Sequence, residues 1–267
     1  MNIKIATWNV NSVKARLDTV KTWLTQAAPD IACLQEIKTT NEGFPADAFE
    51  NLGYNCLVHG QKSYNGVAIL SKRPPEDVVR GLPESEGDDH ARYIEAVVPA
   101  KDGGIVRVAS IYAPNGNPPD GERFAYKLAW MGRLNSHIRH LLTLEEPLLL
   151  AGDYNVIPTA DDCHDPKVWE GDALFRPETR AAFRRICNLG LTDAFRACHA
   201  EPRRYTFWDY QAGAWQKDHG IRIDHILLSP LAADRLAGCA IERQVRSWEK
   251  PSDHVPVICE LSTGRHA

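Results

Sequence analysis

The sequence Gly152-Asp153-Tyr154-Asn155 follows the apolar run Leu148-Leu149-Leu150-Ala151 with no spacer. A run this short and this apolar reads as a buried strand. The glycine lets the chain turn at its end, so a carboxylate and a carboxamide emerge together at the rim of a sheet. The pattern recurs. Residues 3–10 alternate as a strand that ends in Asn9 and Asn11, and Ile31-Ala32-Cys33-Leu34 delivers Gln35 and Glu36. Ser252-Asp253-His254 introduces a further strand over 255–261. Strand ends on a rigid sheet suit groups that must be held in a fixed geometry.

The remaining periodicity sets the fold class. Helical spacing covers 13–27, where Val13, Leu17, Val20, Trp23, Leu24 and Ala27 share a face, then 120–142, with Asp120 as the expected cap, and 177–189. Further strands are expected at 54–59, 65–71, 92–98, 106–112, 148–151, 222–228 and 240–245. Many adjoin without an intervening helix. Mixed sheets covered by a few long helices satisfy that order. Segments 73–90 and 157–176 read as long loops, which in a compact domain usually carry function.

Composition narrows the classes. The net charge of −4 leaves no global basic field, so a nucleic-acid partner requires a local patch. The 43% hydrophobic content supports a substantial core. Seven cysteines are dispersed without C-x-x-C spacing, which points to free thiols and a cytoplasmic setting. The chain enters a strand at once, with no signal peptide, and no apolar run approaches the ~18 residues of a membrane span. Neither a P-loop nor a G-x-G-x-x-G sequence occurs, so nucleotide-cofactor chemistry lacks support.

Each polar strand end has a functional and a structural reading. Glu36 could serve a hard cation or lie solvated. Asp153 and Asn155, at i and i+2, point to one side and could hold a water or phosphate oxygen, or form an Asx turn. Asp253-His254 could supply a ligand and a base, or a simple turn. Asp224 lies inside an apolar strand and needs a partner, a histidine or an arginine. Tyr112 ends a strand and reads as core or as site. Together they form an acid, amide and histidine set at strand ends, with no competing nucleophilic Ser or Cys motif.

The ordered series Thr7-Trp8-Asn9-Val10-Asn11, Leu34-Gln35-Glu36, Asn65-Gly66-Val67-Ala68-Ile69-Leu70-Ser71, Tyr112-Ala113-Pro114-Asn115-Gly116, Gly152-Asp153-Tyr154-Asn155-Val156, Arg222-Ile223-Asp224 and Ser252-Asp253-His254-Val255-Pro256-Val257 resembles the exonuclease III family of abasic-site DNA endonucleases. That family belongs to the endonuclease/exonuclease/phosphatase group, and the segment Tyr205-Thr206-Phe207-Trp208-Asp209-Tyr210 points to its DNA-repair branch. The resemblance implies an α/β fold, a four-layer α-β-β-α sandwich of two mixed sheets flanked by helices, over 1–261 with a tail at 262–267. It implies a Mg²⁺- or Mn²⁺-dependent phosphodiesterase. That enzyme acts on duplex DNA at abasic sites and blocked 3′ ends, as a monomer with no membrane partner.

By position, Glu36 would be the main metal ligand, with Asn9 and Asp253. A second ion could involve Asp153, Asn155 and His254. Asp153 would orient or deprotonate the attacking water, Asn155 would hold it, His254 oriented by Asp224 would contact the phosphate, and Tyr112 would lie beside the phosphate or leaving group. Phe207, Trp208 and Ile221 would line a pocket for the base-less sugar. Arg92, Lys127 and Arg222, with Lys62, Lys72, Arg73 and Arg176, are candidate phosphate contacts. The alternative within the group is a phosphoesterase for phosphoinositides or other small phosphoesters.

Overall fold

The computed structural model describes residues 2–83, 87–100 and 103–262. Two six-stranded mixed sheets stack face to face. In spatial order the first contains β11 (Leu236–Ile241), β12 (Val257–Ser262), β1 (Asn2–Asn9), β2 (Ile31–Gln35), β4 (Val67–Ser71) and β3 (Asn55–His59). The second contains β5 (Glu76–Arg80), β6 (Tyr93–Pro99), β7 (Ile105–Tyr112), β8 (Leu148–Asp153), β10 (Asp224–Leu228) and β9 (Thr192–Asp193). The β1–β2 and β7–β8 pairs are parallel. Helices are α1 (Leu17–Ala27), α2 (Ala46–Glu50), α3 (Glu122–Leu142), α4 (Pro166–Trp169), α5 (Pro177–Cys187), α6 (Ala194–Cys198) and α7 (Pro230–Ala233).

The continuous apolar runs follow from coverage on both faces. In β8, Leu149 and Ala151 face the other sheet, while Leu148 and Leu150 face α3 and α5. In β2, Ile31 and Cys33 point inward and Ala32 and Leu34 pack toward α1. Val20, Trp23 and Leu24 of α1 cover the first sheet. Trp130, Met131, Leu134 and Ile138 of α3, with Ala182, Phe183 and Ile186 of α5, cover the second. Each large apolar side chain so buried contributes about 1.5–3 kcal/mol. The layers are helix, sheet, sheet, helix, as expected.

Several boundaries differ from the sequence reading. Helix α1 starts at Leu17, because residues 13–16 are in turns and the Arg16 guanidinium is tied to the carbonyls of Asn11 and Pro251. The cap of α3 is Gly121, and Asp120 makes no cap bond. Segment 73–90 contains β5, an edge strand whose half-exposed residues show no alternation to read; its residues 84–86, like 263–267 of the tail, lie outside the described residues. The strand expected at 240–245 ends at Ile241 and gives way to a 3₁₀ turn over Arg243–Ser247, which turns Val245 into the cluster beneath α1. Segment 157–176 holds a 3₁₀ turn at Ala160–Asp162 and the short α4.

Register brings the functional ends together. Asn9 pairs with Gln35 and Gln35 with Val67. In the second sheet Tyr112 pairs with Asp153, and Asp153 with Asp224. The carboxyl ends of β1, β2, β7 and β8 therefore meet the amino ends of β4, β10 and β12 at one rim.

Candidate active site

Asp153 closes β8 at the centre of that rim. Gly152 is needed for close approach rather than for the turn: a Cβ there would run into the backbone of Ile111. The chain turns at Asn155, whose φ is 50°. The Asn155 backbone N–H donates to Asp153 Oδ1 at 2.9 Å. The other Asp153 oxygen accepts from Asn9 Nδ2 at 3.0 Å, and the same amide donates to Glu36 Oε1 at 2.8 Å. One asparagine thus joins acids from both sheets.

His254 completes the group. Its Nδ1 lies 2.9 Å from Asp224 Oδ2, so Nδ1–H donates to that carboxylate and Nε2 faces the site, 3.8 Å from Asp153 Oδ2. The partner that buried Asp224 requires is therefore the histidine. Ser252 Oγ accepts from the His254 N–H and donates to the Asn9 carbonyl, locking the loop onto β1. Ligand atoms of Glu36, Asp153 and His254 all lie within 4.8 Å of one another. Left-handed backbone concentrates here, at Asn11 (φ 43°), Glu36 (49°), Lys38 (52°), Asn65 (51°) and Asn155 (50°). Such conformations cost energy and persist where the surroundings fix them, characteristically at functional sites.

The electrostatics fit a cation. Burial pushes the Asp153 pKa up, with the His254 charge opposing it. Burial disfavours the His254 charge, but Asp224 and Asp153 outweigh it and the imidazolium pKa is raised. Burial would also raise Glu36, yet Lys38 and the Asn9 amide hold it below the ordinary carboxylate value. Burial, then Glu36 and Asp153, drive the Tyr112 hydroxyl pKa far up, so it remains a proton donor. Three carboxylates face one imidazolium and one lysine, and Asp224 Oδ1 is a buried acceptor without a partner among the described residues. Hard oxygen donors in excess are the chemistry that Mg²⁺ or Mn²⁺ takes.

Not every expected residue offers its side chain to this site. Asp253 stands outside the 4.8 Å group, its Oδ1 accepting from Asn11 Nδ2. The Asn155 amide donates to the Ala113 carbonyl and its Oδ1 accepts from Asn115 Nδ2, while its backbone N–H donates to Asp153. Lys127 is a correction. It is 0% exposed, and its Nζ donates to the carbonyls of Pro114, Asn115 and Asn155, tying two rim loops together from beneath. Arg222 is likewise 1% exposed and paired with Asp162 and Asp193. Neither can reach a phosphate.

Trp208 also turns inward, against Tyr205, Trp215 and Val255, because successive extended residues point to opposite sides. Phe207, its neighbour, faces the rim: its ring lies 4.9 Å from that of His254, edge to face, and packs on a cluster that includes the fully buried Ile221. Arg92 is at the site, its guanidinium 4.8 Å above the Tyr112 ring and its Nε buried without a partner among the described residues. Lys72 and Arg73 follow the far end of β4, and Lys72 Nζ is bonded to the Ala28 carbonyl. Arg176 faces Glu178, and Lys62 is exposed in the β3–β4 loop.

Sequence reasoning missed Lys38, whose Nζ lies 2.9 Å from Glu36 Oε2. The available signal was a basic residue following a strand-end acid.

Comparison with known proteins identifies the family. The profile of the Endonuclease/Exonuclease/phosphatase family matches residues 6–254. "Exodeoxyribonuclease III" of Haemophilus influenzae is 34% identical, over 97% of this chain and 100% of its own length. An AP endonuclease from Archaeoglobus fulgidus superposes with a TM-score of 0.91 at 38% identity, covering 98% of this chain and 100% of that one. The 3′ phosphatase NExo from Neisseria, solved bound to a product DNA hairpin, gives 0.92 at 40%, covering 97% and 99%. With the acid–histidine rim in place on the same sandwich, the chain belongs to the Endonuclease/Exonuclease/phosphatase family, on its exodeoxyribonuclease III branch.

Proposed function

We propose that this protein is a Mg²⁺- or Mn²⁺-dependent DNA-repair nuclease that cuts duplex DNA 5′ to abasic sites, removes blocked 3′ ends and degrades from 3′ ends, acting as a monomer. The observation that carries the reading is the convergence of Glu36, Asp153 and His254 within 4.8 Å, backed by Asp224. Seven free cysteines fit a reducing cytosol, and among the described residues no helix is long and apolar enough to cross a membrane.

Glu36, with Asn9 beside it, would hold the metal, which when bound neutralises phosphate charge and assists the leaving oxygen. The protein's own groups do the rest. Asp153, oriented through both oxygens by Asn155 N–H and Asn9, takes the proton of the attacking water. Its burial-raised pKa suits a base better than that of a solvated carboxylate. His254 presents Nε2–H to a non-bridging phosphate oxygen, with Asp224 orienting the ring and holding its charge. The protonated Tyr112 hydroxyl donates to the phosphate or leaving group, and Arg92 adds a positive charge beside it. Phe207 forms an apolar wall against His254, where a sugar without a base fits and a normal nucleotide is excluded.

The test uses two duplexes, one with a single abasic site and one with a 3′-phosphate, each with Mg²⁺ and after chelation. Metal-dependent incision and 3′-phosphate release are expected. Activity on inositol phosphates with neither duplex cut would overturn the reading. On Phe207→Ala, abasic incision should fall far more than 3′-phosphate release; an equal fall in both removes the pocket.

A further inference from the structure

The position where a cation would approach Glu36 already holds one. Lys38 Nζ lies 2.9 Å from Glu36 Oε2 and 2.5 Å from Asn11 Oδ1. The other Glu36 oxygen is taken by Asn9, and Asn11 continues to Asp253 Oδ1 at 3.1 Å. One ammonium therefore links the two acids that flank the site from different loops. A divalent ion bound to Glu36 Oε2 would meet a like charge within a few ångströms, where repulsion is large. The lysine must yield.

The local structure allows it. The backbone of the segment is pinned, with Ile37 N–H on the Gly66 carbonyl and Lys38 N–H on the Asn65 carbonyl. The Lys38 side chain is 27% exposed, and a four-carbon stem can carry its ammonium to solvent without moving Glu36.

We propose that Lys38 is an internal counter-ion that occupies the Glu36 side of the metal site and is displaced by the divalent ion, so that it sets the metal concentration at which the site loads. This makes Lys38 a positioning residue: without metal it keeps Glu36 in its binding geometry and stops the unbalanced acids from repelling one another. The inference rests on the reading of Glu36 as a metal ligand.

The test is Mn²⁺ binding to the DNA-free protein, followed by electron paramagnetic resonance of free Mn²⁺ at fixed pH and ionic strength. Lys38→Met and Lys38→Gln should each lower Kd about tenfold, the scale of one charged hydrogen bond released from competition. Lys38→Arg should stay within about threefold of wild type, and Glu36→Gln should weaken binding at least about tenfold. Wild-type or weaker binding by both uncharged Lys38 variants, with Glu36→Gln still impaired, sinks the counter-ion. Unaltered binding by Glu36→Gln removes the metal from Glu36, and the counter-ion with it.

Discussion

Of two buried histidines at strand β10, His225 belongs to the strand and His254 packs against its first residue, and they are in opposite states. His254 faces Asp224, Asp153 and Glu36, and keeps a proton. His225, next in sequence to Asp224, points the other way. Its Nδ1 accepts from Arg222 Nη1 at 3.0 Å, so Nε2–H donates to the Val156 carbonyl and the ring is neutral. Burial, with the Arg222 charge added, lowers its pKa to about 4. Around it Arg222 and Arg196 balance Asp162 and Asp193. Burial would raise Asp162, but Arg222 and Arg196 pull it to about 2. That cluster is electrically closed and ties the 157–176 segment to β10. The candidate rim has acids to spare and one carboxylate oxygen with no partner among the described residues. A balanced buried cluster is complete as folded; an unbalanced one at a surface rim asks for a ligand.

Breaking each cluster should therefore have different consequences. The largest effect belongs to the rim. Asp153→Asn and His254→Ala should each lower turnover about a thousandfold, with the double variant little worse than the worse single, because the groups act as a unit. DNA affinity, read by anisotropy, should be nearly kept; its loss would make Asp153 structural.

Next comes the balanced cluster. Arg222→Met leaves Asp162 and Asp193 buried without their main partner and should lower stability by about 3–5 kcal/mol in chemical denaturation. Turnover per folded molecule should stay near wild type. Lost turnover with intact stability would move Arg222 back toward the substrate.

A smaller effect is the pH dependence from His225. Its folded pKa lies below the ordinary value of 6.5, so the stabilisation is complete above that value. It is lost as pH falls from 6.5 toward 4, because the unfolded chain binds a proton that the folded chain refuses. The full loss is about 3 kcal/mol. His225→Gln should flatten that limb of the denaturation profile, and an unchanged limb would assign it elsewhere.

The smallest is Asp224→Asn, which should cost about tenfold in turnover, since it orients His254 without touching substrate. It should also shift the imidazole resonance of His254 toward titration at lower pH in NMR. A thousandfold loss would place Asp224 in the chemistry itself.

The candidate site was legible to different degrees. Glu36, Asp153, Asp224 and His254 stood out because each breaks an apolar strand pattern or ends one, and polar groups there need a reason. Phe207 and Trp208 could not be separated by pattern, since both are aromatic; only the facing of the extended segment turns one to His254 and the other to the core. Edge strand β5 escaped because its residues have no buried face to alternate with.

What the chain determined by itself is local: strand and helix periods, the apolar faces that stack two sheets between helices, and the polar groups that strand ends must carry to the rim. These depend on residues a few positions apart. Which acid meets which base depended on tertiary contact: Asn9 reaches Asp153 across the two sheets, and His254 reaches Asp224. So did the fate of the cations. Lys127 and Arg222 look like phosphate contacts by composition, yet the fold encloses them with carbonyls and carboxylates, while Lys38 is delivered to Glu36 by a left-handed backbone. Charge interactions depend on separation and burial, and neither distance nor solvent access is written in the order of residues.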